Sequence, residues 1–364
     1  MARPLRIDIP GGWYHVMSRG TDRREIFEGD DRRSPKGAGG ASRDCEHFLE
    51  LLEEMTERYA VRLHAYVLMG NHCHLLMETP HANLSRAMQW LNVSYGVWFN
   101  RRHRRVGPLL QGRFKAVPID AEGSWALQAS VYLHLNPVRV KGLGLGKRER
   151  KTEGLGWSPP PSPELVQARL ATLRGHRWSS YLAYAGYAPR PAWLTCEDLW
   201  QRAKRRGKTA AMSYRLYVEE PLKAGVEEIA TFSERLKGAL AVGSEAFLER
   251  LRRRVHGNRR EQPAVRAWQR LLPFARVTEI VAKEKGEPWE CFRDRHGDWG
   301  RDAALWLARR HSGMTQAELG TAVGGMAYPA VGHAVRRIER RRTTDPKLAR
   351  VLVRLERQLV QNAT

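Results

Sequence analysis

The sequence has few of the residues that mark secreted, zinc-binding or membrane-spanning proteins. Its 364 residues include only 4 cysteines, which lie far apart and form no CxxC pair, so neither a zinc ribbon nor a disulfide framework is indicated. No apolar run reaches the roughly 18 residues that a membrane-spanning helix needs, and the first residues lack the apolar stretch of a secretory signal. We therefore expect a cytoplasmic protein with no membrane partner.

Acidic residues are also scarce. The sequence has 39 Asp and Glu against 62 Lys and Arg, which gives a formal net charge of +23. The basic residues cluster at 101–105, 204–208, 252–260 and 336–342. Such an excess attracts polyanions, and several separate clusters indicate an extended electrostatic footprint. Nucleic acid is therefore the favoured partner, which suggests association with the nucleoid, and an acidic membrane surface or the ribosome are the alternatives.

The hydrophobic content of 42% is sufficient for two or three folded domains in a chain of this length. In the first half, strand and helix patterns do not alternate strictly, which favours an α+β fold with an antiparallel sheet. The patterns predict strands at 13–19, 62–69 and 72–79 and helices at 46–60, 83–101 and 124–135.

Two stretches within the first 163 residues have the composition of exposed loops. They are rich in Gly, Ser and Pro and lie at 34–42 and 142–163. After them the chain reads as helical. We place a first domain at 1–190, a helical linker region at 191–272 and an all-α C-terminal domain at 273–364.

The most informative short motif is a pair of histidines, His72 and His74, on a predicted strand. Residues two apart on a strand share a face, so both imidazoles point the same way and Cys73 points into the core. Two adjacent imidazoles can form half of a divalent-metal site. However, roughly 0.5 such His-x-His matches arise by chance in a chain with 13 His, so two hydrogen-bonded strand histidines are the simpler alternative.

A predicted helix some sixty residues later carries Tyr132 and Asn136 one turn apart. A tyrosine hydroxyl can act as a covalent nucleophile, and an amide oxygen can complete a metal shell. Pro137 disfavours the helical conformation at the preceding residue, so we expect Asn136 at the helix end. The alternative for Tyr132 is a half-buried helical tyrosine without a chemical role.

These residues resemble the HUH single-tyrosine transposases, specifically the REP-associated tyrosine transposases (RAYT). Besides His72-Cys-His and Tyr132-Leu-His-Leu-Asn-Pro-Val-Arg, four shorter segments resemble the family in the same order, at 14–20, 65–69, 111–114 and 178–181. The resemblance covers about residues 5–188. Cys73 replaces the usual hydrophobic middle residue, and Gly70 replaces a common Pro.

The resemblance implies a ferredoxin-like antiparallel sheet with the histidines on a central strand. It implies that Tyr132 attacks a phosphodiester of single-stranded or hairpin DNA near REP palindromes, forming a 5′-phosphotyrosine and a free 3′-OH. Mg²⁺ or Mn²⁺ would be held by His72, His74 and Asn136. Phosphate contacts are expected from the basic residues nearest this site, namely Arg102, Arg104, Arg105 and Arg113. His15 and His134 have no assigned role.

The C-terminal region predicts a helix at 300–311, a short helix capped by Thr315, a Gly-Gly turn and a basic helix at 328–342. This order is typical of a helix-turn-helix. Residues 295–342 resemble the duplex-binding domain of the replication initiator DnaA, although the base-reading positions differ. We expect duplex DNA to contact Arg336, Arg337, Arg340 and Arg341, with a protein-binding module as the alternative.

Taken together, the patterns favour a metal-dependent DNA nicking and strand-transfer enzyme. Two other functions remain open at this point. One is a non-catalytic, transposase-derived DNA-binding regulator, and the other is a metal-dependent nuclease that forms no covalent intermediate. A homodimer is possible in each case.

Overall fold

The computed structural model describes residues 7–28, 43–145, 161–224, 232, 236, 239–254, 272–312, 314 and 316–361. These residues form two compact units, one extending to Leu248 and the other beginning at Glu249. The predicted loop at 34–42 lies outside the described residues, as does most of the loop at 142–163. None of the described helices is long and apolar enough to cross a membrane. The domain boundaries at 190 and 272 stay predictions.

The N-terminal unit is built on a four-stranded antiparallel sheet. Its strands are β1 (Gly12–Arg19), β2 (Arg62–Met69), β3 (His72–Thr79) and β4 (Lys115–Ile119), in the spatial order β2-β3-β1-β4. Helix α1 (Arg43–Tyr59) connects β1 to β2, and α2 (Leu84–Arg102) connects β3 to β4. This βαββαβ order is the ferredoxin-like arrangement, so the predicted α+β fold is confirmed.

Strand β3 lies between β1 and β2, and nearly all of its residues are buried. Its partners are fixed by register, with His74 opposite Met17 on β1 and opposite Val67 on β2. The helix α3 (Trp125–His134) packs on this sheet. The candidate residues His72, His74 and Tyr132 therefore lie on the sheet and on the helix packed against it.

Several shorter helices complete the N-terminal unit and lead to the second one. They are the 3₁₀ turns Thr21–Arg23, Asn136–Val138 and Lys141–Leu143, followed by α4 (Pro163–Gly175), α5 (Tyr181–Tyr184), α6 (Glu197–Ala203), α7 (Ala210–Ala224) and α8 (Glu245–Arg254). Ser162 caps α4 by accepting a hydrogen bond from the amide of Leu165, and Pro163 opens its first turn.

The C-terminal unit consists of helices in its described part. They are α9 (Phe274–Lys285), α10 (Trp289–Phe292), α11 (Trp299–His311), α12 (Gln316–Ala322), α13 (Tyr328–Thr344) and α14 (Pro346–Gln361). Gly324 and Gly325 join α12 to α13 with φ values of 85° and 87°, a conformation that favours glycine. The helical region is confirmed, the predicted Thr315 cap lies outside the described residues, and the helix-turn-helix assignment stays a prediction.

Candidate active site

The two histidines of the His-x-His motif lie side by side on β3. Their ring centroids are 5.0 Å apart, and His74 is only 4% exposed. Cys73 points to the opposite face and is buried, and burial raises the pKa of its thiol to about 12. The thiol therefore points away from the two imidazoles and is no metal ligand on their face of the sheet.

Tyr132 on α3 lies over the histidine face of the sheet. Its ring centroid is 6.1 Å from that of His74, and the two rings meet edge to face. The guanidinium of Arg139 stacks over the tyrosine ring at 4.4 Å from its centroid, and the ring of Phe232 lies 5.6 Å away. The structure thus brings together a tyrosine and a histidine that are 58 residues apart in the sequence.

A third histidine, which the sequence left without a role, joins this group. His15 on β1 is 6% exposed, and its Nε2 atom lies 2.8 Å from Nδ1 of His74. Its ring also lies 5.7 Å from the ring of Tyr132. The alternation of β1 places His15 on the same face of the strand as Met17 and Arg19. Only the pairing of β1 with β3 shows that His72 and His74 lie on this same face of the sheet.

The three imidazoles are uncharged at neutral pH. Burial lowers the pKa of His15 to about 4, and the nearby charge of Arg139 acts in the same direction. Burial and the charge of Arg19 lower the pKa of His72 to about 4. Burial, followed by the neighbouring histidines and arginines, lowers the pKa of His74 well below its usual value. Neutral imidazoles keep a lone pair that can bind a cation.

Asn136 lies two residues beyond the end of α3, as Pro137 predicts. Its side-chain Nδ2 donates to the backbone oxygens of Tyr132 at 3.1 Å and Leu133 at 3.2 Å. The amide nitrogen therefore caps the helix, and the amide oxygen is the atom that could serve a ligand. The cap also ties Asn136 to the turn that carries Tyr132.

The described residues contain no cluster of three or more His, Cys, Asp or Glu that could hold a metal ion. Of the predicted ligands, the neutral imidazoles of His72 and His74 lie side by side, and the side chain of Asn136 is hydrogen-bonded to the turn that carries Tyr132. This donor set fits a weakly held divalent ion, because no carboxylate neutralises its charge and Mg²⁺ and Mn²⁺ prefer oxygen ligands.

The predicted phosphate-binding arginines divide into two groups. Arg102 forms an ion pair with the buried Asp44 at 3.2 Å, and Arg105 lies 4.0 Å from Glu28. Arg104 and Arg113 are exposed on the loop between α2 and β4. Arg102 is also exposed although it pairs with Asp44, whereas Arg105 is half-buried.

The basic helix α13 divides in the same way. Arg337 forms a bidentate ion pair with Asp302, at 2.6 and 2.7 Å, and Asp302 is fully buried on α11. Arg341 is half-buried, whereas Arg336 and Arg340 are exposed one turn apart. The guanidinium of Arg337 therefore holds two helices together, and this use was not apparent from the arginine cluster in the sequence.

Three findings on similarity to known proteins bear on this site. Residues 9–117 match the family described as transposase, IS200-like. A solved structure of a REP-associated tyrosine transposase bound to a REP hairpin is similar at 14% identity and a TM-score of 0.33, over 54% of this chain and 92% of that chain. No curated protein matches the sequence. The family match includes β1 and the His-x-His strand, so residues 9–117 of this chain are similar to the IS200-like transposases.

Proposed function

We propose that this chain is a metal-dependent transposase of the REP-associated type that nicks and rejoins single-stranded DNA through Tyr132. The observation that carries the proposal is the position of Tyr132. It lies outside the matched residues 9–117, and the fold nevertheless packs its ring against His74 on the transposase sheet. This position, beside the proposed metal-binding face, is where a nucleophile that attacks a metal-bound phosphate would have to lie.

In the proposed reaction, the phenolic oxygen of Tyr132 attacks the phosphorus of a DNA phosphodiester. A bond forms between this oxygen and phosphorus, and the bond to the 3′ oxygen breaks, which leaves a 5′-phosphotyrosine and a 3′-OH. A bound Mg²⁺ or Mn²⁺ would stabilise the negative charge on the phosphate. His72, His74 and Asn136 are the residues that would hold it.

The residues around Tyr132 suit this reaction. The positive charge of Arg139 lies over the ring, where it would attract the negatively charged phosphate of the substrate. The phosphotyrosine retains the energy of the phosphodiester, so a 3′-OH can reverse the step and join strands. The enzyme therefore needs no nucleotide cofactor.

The nature of the DNA is proposed from the motifs that resemble the REP-associated transposases, which imply a hairpin with single-stranded flanks. The C-terminal unit would hold adjacent duplex DNA, with Arg336 and Arg340 on the exposed side of α13. Linking two binding modules in one chain raises the effective concentration of the enzyme at its site.

The test is the covalent intermediate itself. A panel of hairpin oligonucleotides is incubated with the protein and Mn²⁺, the denatured mixture is examined for a protein–DNA adduct, and the modified peptide is mapped by mass spectrometry. We expect the adduct on Tyr132, and we expect Tyr132→Phe to bind the same DNA without forming it. DNA binding without an adduct in the unmodified protein would support a non-catalytic regulator, and cleavage that survives in Tyr132→Phe would support a nuclease without a covalent step.

A further inference from the structure

We propose that His15 is a positioning residue that fixes the tautomer and the orientation of His74. The inference rests on the proposed function, because it concerns how His74 is prepared to hold a divalent ion. It starts from one contact, the 2.8 Å separation between Nε2 of His15 and Nδ1 of His74. Both side chains are more than nine-tenths buried.

The sheet register makes this contact possible. His74 lies opposite Met17, so His15 is its diagonal neighbour on the same face of the adjacent strand. Diagonal neighbours are about 7–8 Å apart at the backbone, a distance that two imidazole side chains can span. The contact is thus set by the two strands and not by a loop.

The contact determines which nitrogen of His74 can bind a cation. Nδ1 is engaged by His15, whereas Nε2 of His74 has no hydrogen-bond partner within the described part of the chain. A hydrogen bond between two neutral imidazoles needs one donor and one acceptor. For Nε2 of His74 to offer its lone pair, the proton must reside on Nδ1 and be donated to Nε2 of His15. The opposite tautomer would place a proton on Nε2 and block the ion.

The neighbouring histidine shows the same arrangement with a partner whose role is unambiguous. Nδ1 of His72 lies 2.6 Å from Oδ1 of Asn71, and the amide nitrogen of Asn71 donates to the backbone oxygen of Arg23 at 3.0 Å. Because the amide oxygen can only accept, His72 carries its proton on Nδ1. Both motif histidines would then present Nε2, one oriented by Asn71 and the other by His15.

His15 also contacts the nucleophile. Its ring meets the ring of Tyr132 edge to face at 5.7 Å, so one side chain packs against both His74 and Tyr132. Groups that orient metal-binding histidines change metal affinity when they are removed, typically by 10–100-fold. We therefore infer that His15 links the position of the ion to the position of the attacking oxygen.

The test compares Mn²⁺ binding and tautomer state across variants of the full chain. His15→Phe keeps a planar ring but removes the acceptor, and we expect it to weaken Mn²⁺ binding about 10–100-fold, measured by titration calorimetry. His15→Gln keeps an acceptor oxygen, and we expect it to recover most of the affinity. In the unaltered protein with ¹⁵N-labelled histidine, we expect the NMR spectrum to show the His74 proton on Nδ1.

The possible failures are distinguishable. If His72→Ala abolishes Mn²⁺ binding and a folded His15→Phe binds as tightly as the unaltered protein, the role of His15 is contradicted while the proposed metal site is supported. If Mn²⁺ binding is indifferent to His72→Ala, the proposed metal site itself is wrong, and the inference about His15 fails with it. A His74 proton on Nε2 in the metal-free protein would overturn the inference even if neither His15 variant folds.

Discussion

Helix α3 contributes to two clusters of histidine and tyrosine, and they differ in one respect. In the first cluster Tyr132 lies with His15, His72 and His74, and Nε2 of His74 has no hydrogen-bond partner in the described part of the chain. In the second, His134 lies with Tyr214, and both of its ring nitrogens have hydroxyl partners at 2.7 Å, in Tyr214 and Ser180. We call these the open cluster and the closed cluster.

The comparison shows that burial and a lowered pKa do not by themselves identify a functional histidine. Burial lowers the pKa of His134 to about 3, further than it lowers the pKa of His15 or His72. Structural networks perturb pKa values as active sites do. What distinguishes the open cluster is a neutral imidazole nitrogen with no partner among the described residues, beside the proposed nucleophile Tyr132. Each cluster can therefore be tested against the other.

The largest expected difference between the clusters is in DNA cleavage. His72→Ala removes a half-exposed ring of the open cluster. We expect cleavage to fall by at least about 100-fold with little change in stability, because the variant lacks a proposed metal ligand. His134→Ala opens the closed cluster and leaves two hydroxyls without their partner. We expect it to cost about 2–5 kcal/mol of stability while the folded fraction retains cleavage.

The measurement combines initial rates of oligonucleotide cleavage with urea denaturation of the same two proteins. The matched pair matters because a single histidine variant could lose activity simply by unfolding. Equal loss of cleavage per folded molecule in both variants would remove the distinction between the clusters.

The parts of this arrangement that depend on local pattern were predictable. The strands at 62–69 and 72–79 have the predicted bounds, and α2 and α3 begin and end within one residue of the predicted positions. Strand alternation also predicted that Cys73 points into the core. These features follow from periodicities of the chain itself, which a single sequence displays.

The parts that depend on pairing between distant segments were not predictable. The role of His15 follows from the register of β1 against β3, and the closed cluster joins His134 to Tyr214 across 80 residues. Arg337 belongs to a basic cluster in the sequence, yet its partner Asp302 lies 35 residues away on another helix. Nothing local to these residues identifies their partners.

The next difference concerns pH. The pKa of His134 is about 3 in the folded state against about 6.5 when unfolded. Between these values the unfolded state binds more protons, so stability rises with pH. The stability that neutral His134 confers is therefore complete above about pH 6.5 and is lost as pH falls towards 3. We expect His134→Gln to reduce the slope of stability against pH by about 1.4 kcal/mol per pH unit near pH 5.

Urea denaturation at several pH values between neutrality and about 4.5 measures this slope. His15 and His72 have lowered pKa values too and contribute with the same sign, so the unaltered protein should lose stability steeply on acidification. An unchanged slope of stability against pH in a folded His134→Gln protein would mean that the pKa of His134 is the same in the folded and unfolded states. Water would then reach the closed cluster.

The smallest expected effect comes from a single hydroxyl of the closed cluster. Tyr214 donates to Oγ of Ser130 at 2.8 Å and lies against Nδ1 of His134, with its side chain fully buried. Tyr214→Phe keeps the ring and removes the hydroxyl, and we expect a loss of about 1–2 kcal/mol of stability, because one buried nitrogen loses its partner. Tyr132→Phe, in the open cluster, makes the same chemical change, and among the described residues it removes no hydrogen bond of the hydroxyl. We therefore expect opposite results from the two variants. Tyr214→Phe should lower the urea midpoint of unfolding and still form the DNA adduct. Tyr132→Phe should keep the midpoint of the unaltered protein and form no adduct. Loss of the DNA adduct in a folded Tyr214→Phe protein would instead indicate that the nucleophile, or a residue that controls its reactivity, belongs to the closed cluster.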